Sequence, residues 1–229
     1  MATFVGIRTR IAAIVLDMPA TLSAEVPNLV NDGLKFAMRE HNFWCMKAEA
    51  SFTTTAASAT LGAMPADFKE FRTRPYYTTY DGTVKDVNMS KDYVDANVYV
   101  GISTSDVGYP QLISPSIDEA SLLVRPLPDG ASDYTDGEYR VTVPYWKYLD
   151  ELSADSDTNW FTDKGEQFLI NYAAAEAFAR DWDEDRSKVW AMRRDASWTS
   201  LLKLDKIKSL SGDMTLVPHN GARRPHIMQ

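Results

Sequence analysis

The sequence predicts an α+β fold: a four-helix bundle with an inserted small antiparallel β domain and an extended C-terminal tail. Three observations carry this. Apolar residues recur at helical spacing in residues 1–42 and again in 153–210. Between them, residues 43–152 lose that period and alternate short β-prone runs with turn residues. From residue 211 onward, "SGDMTLVPHNGARRPHIMQ" keeps no period and is rich in Gly, Pro and polar residues, the pattern of a tail.

The first helix is capped by Thr3 and places Phe4, Ile7, Ile11 and Ile14 on one stripe, with Asp17-Met18-Pro19 to end it. A second helix is expected to start between Ser23 and Val26, because Pro27 is tolerated only in a first turn. Its apolar face is Leu29, Val30, Gly33, Phe36 and Ala37, and it runs out near His41-Asn42. In the β domain, Asp81-Gly82 separates two strand-like runs, a two-residue hairpin signal. "EYRVTVPYW" sets Tyr139, Val141, Val143 and Tyr145 on one strand face, and Pro144 within it argues for an edge or a bulge. The sheet should be a sandwich or an open barrel. A third helix is predicted with Asp163 as cap and Glu166 reciprocating. Phe168, Tyr172, Ala175, Ala179 and Trp182 form its stripe, and Ala173, Ala174, Ala175 and Ala177 allow close neighbours. A fourth begins at Asp183, with Trp190, Ser197, Leu201 and Leu204 in line and Trp198 beside them.

The bulk numbers bound the function. A chain of 229 residues, 45% hydrophobic and 24% charged, suits one large soluble domain or two small ones. No apolar run is long enough to span a bilayer. Arg8, Arg10 and Asp17 interrupt the apolar opening, so no signal peptide is expected. The single cysteine, Cys45, excludes an internal disulfide and reads as a small core residue. Residues 201–229 hold five Lys/Arg and two Asp, net +3; with −8 for the whole chain, residues 1–200 carry −11. So acidic a body offers phosphates little grip, whereas the basic tail suits an acidic partner or plain solvation.

Catalytic patterns are missing. The three histidines, His41, His219 and His226, are scattered, two of them in the tail, and no G-x-S-x-G occurs. Neither phosphate-loop glycine pattern is present, and one Cys with dispersed His cannot build structural zinc. Asp155, Asp157, Asn159, Asp163 and Glu166 fall at EF-hand spacing, but Trp160 occupies the place of the required glycine. They read as a solvated loop and a helix cap, so no metal, no cofactor and no enzyme activity are expected.

Four stretches, in order, resemble one family. "LSAEVPNLVNDGLKFAMRE" (22–40) is similar to its "LxAQIPxFIxLAEARINRxLR", and "MPADFKEFR" (64–72) to its "LPxDFxEI". "GYPQLIS" and "SLLVRPLPDG" (108–130) resemble the strand pair "GxPxxY...LxLxPxPD". The most recognisable region, residues 152–201, matches at Thr158, Asn159, Trp160, Thr162, Tyr172, Ala175, Glu176, Ala177, Asp185, Arg186, Trp190, Arg193 and Ala196. Gly165 and Phe161 depart from the pattern. The family is the adaptor of tailed bacteriophages, the head-to-tail connector or tail accessory factor.

The resemblance implies a structural virion protein of the phage neck, made in the host cytoplasm. It implies a homo-oligomeric, dodecameric ring that docks on the portal protein and extends the DNA channel. That ring would attach a downstream tail protein (nozzle, tube or fibre). Genomic DNA would pass without sequence-specific binding, and no membrane is involved. Pro218, Arg223, Arg224, Pro225 and His226 would form a portal-binding tail. Trp160, Phe168, Tyr172, Ala175, Trp182, Trp190 and Trp198 would serve the bundle core first and ring packing second. Two other readings compete: another head-completion or tail-terminator ring, and a tail-associated cell-wall hydrolase, which needs a carboxylate pair in a cleft.

Overall fold

A computed structural model of the chain describes residues 2–16, 19–78, 83–90, 106–129 and 139–212. The Asp81-Gly82 turn, the terminator Asp17-Met18 and the whole predicted portal-binding tail lie outside the described residues. The chain divides into two compact units, residues 1–33 with 153–229, and residues 34–152. The division falls inside a helix, between Gly33 and Leu34, and not at that helix's end.

The architecture is mixed α+β, with five helices among the described residues instead of four: α1 (Phe4–Ile14), α2 (Ala20–Glu40), α3 (Trp160–Lys164), α4 (Glu166–Arg180) and α5 (Glu184–Gly212). Thr3 caps α1, its hydroxyl accepting from Gly6 N–H, and Phe4, Ile7 and Ile11 are buried. Helix α1 ends at Ile14, before the predicted stop. Helix α2 starts earlier than the proline rule suggested, because the Pro19 carbonyl already accepts from Leu22 and Ser23 N–H. Pro27 therefore sits inside it, where it has no N–H to offer the carbonyl one turn back. Val26, Leu29, Val30, Leu34, Ala37 and Met38 are buried at the expected helical spacing.

The predicted third helix is two. Asn159, and not Asp163, is the cap: its Oδ1 accepts from Thr162 N–H at 3.0 Å, and Thr162 Oγ1 accepts from Asn159 N–H at 2.9 Å. That box starts α3 at Trp160. Gly165 then closes α3 and opens α4. A Cβ there would stand 3.1 Å from the Phe161 carbonyl oxygen, which accounts for the glycine at this departure from the family pattern. Helix α5 continues through Gly212, past the predicted start of the tail.

The second unit holds eleven strands among the described residues: β1 (Lys47–Thr53), β2 (Thr60–Ala63), β3 (Phe68–Phe71), β4 (Tyr76–Thr78), β5 (Val84–Asp86), β6 (Asn88–Met89), β7 (Val107–Gly108), β8 (Leu112–Pro115), β9 (Ser121–Arg125), β10 (Leu127–Pro128) and β11 (Arg140–Lys147). In the larger sheet β11 is central, not an edge, but its pairing with β3 shifts register between Trp146 and Lys147, a bulge or irregularity two residues past Pro144. Strand β1 pairs along one side, while β4 and β3 share the other, with β5 beyond β4. Pro144 is tolerated because of that sharing. Its carbonyl accepts from Arg72 N–H, so its missing donor faces the same side. There β11 changes partner, from β4 at Val141 and Thr142 to β3 from Tyr145.

The second sheet runs β2-β9-β8-β6. The expectation of an antiparallel sheet needs one correction, since β6 pairs β8, and β10 pairs β7, in parallel. Leu61, Ile113, Leu122 and Val124 from this sheet meet Phe71, Tyr77, Val141 and Val143 from the other in one buried cluster. Two sheets sharing one core is a sandwich arrangement. Gly62 is required in it: a Cβ would come within 2.6 Å of the Phe52 ring.

Candidate functional site

The acidic segment before α3 is built as a cap. The Asp157 and Asp155 carbonyls accept from Phe4 and Val5 N–H, meeting free donors of the first turn of α1. Asp155 pairs with Arg8 at 2.7 Å. Asp157 Oδ2 accepts from Ser153 and Ala154 N–H, both at 2.8 Å, and those two bonds hold its carboxyl below the usual range. Negative charge beside a helix N-terminus is also favourable in itself. The remaining acids of the EF-hand-like pattern turn elsewhere: Asp163 to Lys164 at 2.9 Å and Glu166 to Arg10 at 2.7 Å. No group of three or more His, Cys, Asp or Glu among the described residues is placed to hold a metal ion.

Helix α4 is buried on nearly every side. Phe168, Leu169, Ile170, Asn171, Ala173, Ala174, Ala175, Ala177 and Phe178 are all inside. Tyr172 lies against Gly33 of α2, where a Cβ would meet its ring at 2.9 Å. Trp198 of α5 packs on Phe168, ring centroids 5.1 Å apart. A polar clasp joins α4 to α5. Asn171 Nδ2 donates to the Arg193 carbonyl at 3.1 Å and to Ser197 Oγ at 3.2 Å, and its Oδ1 accepts from Gln167 Nε2 at 2.9 Å. Arg180 reaches Glu25 and Asp32 of α2, exposed pairs that add little stability.

The predicted packing residues therefore separate. Phe168 and Ala175 are buried, while Trp160, Tyr172, Trp190 and Trp198 are half-buried. Ala179 is exposed, and Trp182 is 90% exposed, so the stripe drawn through them is wrong at its C-terminal end. The reason is local. Asp183 N–H donates to the Phe178 carbonyl and Trp182 N–H to that of Ala179, a Schellman ending. Trp182 occupies its left-handed position, at φ 59°. Glycine is the usual residue there, and a side chain in that conformation costs about 1–2 kcal/mol.

Beyond that turn, α5 has two faces. Leu201 and Asp205 are buried on one, with Trp190, Arg194, Ser197 and Trp198 half-buried beside them. Val189, Met192 and Ile207 are exposed on the other, along with Leu204, which the stripe reading had placed inside. Apolar residues at 189, 192 and 196 make a second helical stripe. The sequence signalled it, but it was hidden behind the tryptophans on the inner side.

The β unit has a groove of about 590 Å³ lined by residues that include Phe68, Lys69, Glu70, Glu119 and Tyr148. Lys69 Nζ donates to the Met38 carbonyl and to Asn42 Oδ1, closing the C-terminal end of α2. Burial lowers its pKa, against the raising pull of Glu70 and Glu40. Nearby, burial and then the 2.9 Å bond to Asp67 push Tyr145 up to about 12. These groups hold strands and a helix end together.

No described helix is long and apolar enough to cross a membrane. No curated protein matches the chain. A protein-family model described as SU10 adaptor protein does match, over residues 2–220 and hence through both units, and the chain belongs to that phage adaptor family.

Proposed function

We propose that the chain is one subunit of a head-to-tail adaptor ring in a tailed phage. In this reading a dodecamer docks on the portal, extends the DNA channel and receives the downstream tail protein. Catalysis has no part in it. The observation that carries the reading is the family match across residues 2–220, which takes in the helical unit, the β unit and part of the tail. The charge distribution supports it. A chain at −8 overall lets DNA slide past without phosphate grip, and its cationic end, with Arg223 and Arg224, suits a larger acidic partner. Pro218 and Pro225 favour an extended tail, and His226 lies beside them.

The experiment is a mass measurement by light scattering, on the purified chain alone and then mixed with its candidate portal ring. The expected result is addition at one copy per portal subunit. Because α5 runs through Gly212, the tail truncation should begin at residue 213. Removing 213–229 is expected to abolish portal binding with the fold intact, as judged by circular dichroism. Normal portal binding by the truncated chain refutes the tail's assigned role.

A further inference from the structure

The strongest unexplained feature of the molecule is Trp182 together with the outer face of α5. A large aromatic side chain stands 90% exposed in a backbone conformation that glycine would take more easily. The fold gains no packing from it. Val189, Met192, Leu204 and Ile207 continue the exposed apolar surface along α5, opposite the side that packs on α4. A buried tryptophan anchor is the commonest kind of residue at the energetic centre of a protein interface, and apolar surface of this sort is not what binds DNA backbone.

Charge selects the occupant. Residues 184–212, the whole of α5, hold seven Lys/Arg and four Asp/Glu, net +3. The part of the helical unit that precedes α5 in the chain, residues 1–33 and 153–183, holds four Lys/Arg and ten Asp/Glu, net −6. Lys203 is exposed on the outer side of α5 with the apolar stripe, at whose start lies the exposed Asp185, while the Arg193 guanidinium sits over the Trp190 ring, 4.5 Å from its centroid. A net-basic helix with an exposed apolar stripe and an acidic remainder of the same unit complement each other between copies. Such a pairing is head-to-tail, the kind that closes into a ring.

We infer that Trp182 and the outer face of α5 seat the net-acidic part, residues 1–33 and 153–183, of a second copy's helical unit. This rests on the ring reading above and adds its interface. The test uses the full chain with a photo-cross-linking amino acid in place of Met192, assembled on the portal ring. The expected cross-links join α5 to residues 1–33 or 153–183 of another copy. Alongside, W182G and M192E are loaded on the portal and counted by mass. Each is expected to keep the thermal midpoint of the free chain, or raise it for W182G, and to lose at least tenfold in assembled rings. Cross-links to the portal or tail protein, or rings of both variants at the wild-type yield, overturn the inference and leave the ring reading standing. A wild-type chain that never gathers on the portal in multiple copies overturns the reading beneath it.

Discussion

Helices α4 and α5 are neighbours in sequence and in space, yet they are built to different rules. Nearly every face of α4 meets protein: α2 through Tyr172 on Gly33, α5 through Asn171 and Phe168, and the unit's core through its alanines. Helix α5 is nearly twice as long and buries only one side. Internal packing therefore accounts for α4 residue by residue and leaves half of α5 without an intramolecular reason. Function, in a member of a phage adaptor family, is best sought where the fold's own demands stop.

The contrast can be broken most forcefully at its centre. Phe168 is 1% exposed and holds Trp198 of α5 against α4. Phe168→Ala should cost about 3–5 kcal/mol through lost burial and a residual cavity, and calorimetry should show the helical unit melting well below the wild type. A substitution on α5's outer face, such as Met192→Lys, should stay within about 0.5 kcal/mol. If both variants melted alike, α4 would not be the organising helix.

The α2 side of α4 gives a smaller, more specific effect. Gly33→Ala puts a methyl 2.9 Å from the Tyr172 ring and should cost about 1–3 kcal/mol by overpacking. Paired with Tyr172→Ala, much of that cost should return, because the ring atoms at 2.9 and 3.1 Å are gone and only the Cβ at 3.3 Å remains. A double-mutant cycle in urea reads the coupling; strict additivity would mean that the two residues do not meet.

The polar clasp comes next. Asn171→Ala removes three hydrogen bonds, but Ser197 still donates to the Arg194 carbonyl, and only Gln167 loses its sole described partner. The expected loss is about 1 kcal/mol. Hydrogen exchange should show faster opening between α4 and α5, with the β unit unchanged.

Much of this was legible in the chain. The α+β class and the burial of Val141, Val143 and Tyr145 along β11 follow from spacing alone, as do the inner stripes of α1 and α2 and that of α4 as far as Ala175. The misreadings have physical causes. Two capping boxes overlap in "NWFTDKGE", and the first, Asn159 with Thr162, prevailed because Gly165 interrupts the helix behind it. Pro27 and Pro144 were judged by what a proline removes. Both are tolerated, in β11 because the strand's partner changes at that residue. The pairing of β2 with β9 depends on contacts between residues far apart in sequence, on which local periodicity is silent. At the candidate site, a helical wheel was carried past Asp181 to Trp182, although the helix has ended by then. Hydrophobicity said core, and only the backbone says otherwise.

That residue gives the smallest effect and the sharpest, because its sign is reversed. Trp182→Gly removes a side chain that packs on little and relieves a left-handed φ of 59°. Glycine gives back part of the gain as chain entropy on folding, so the net change should be a stabilisation of about 0.5–1 kcal/mol. Thermal melts of the free chain read it directly. A rise in midpoint would mean that the wild-type fold tolerates a small, avoidable strain at one exposed tryptophan, as residues kept for contact with a partner commonly do. A fall would mean that Trp182 already packs usefully within its own unit, and the difference between the two helices would then be one of degree.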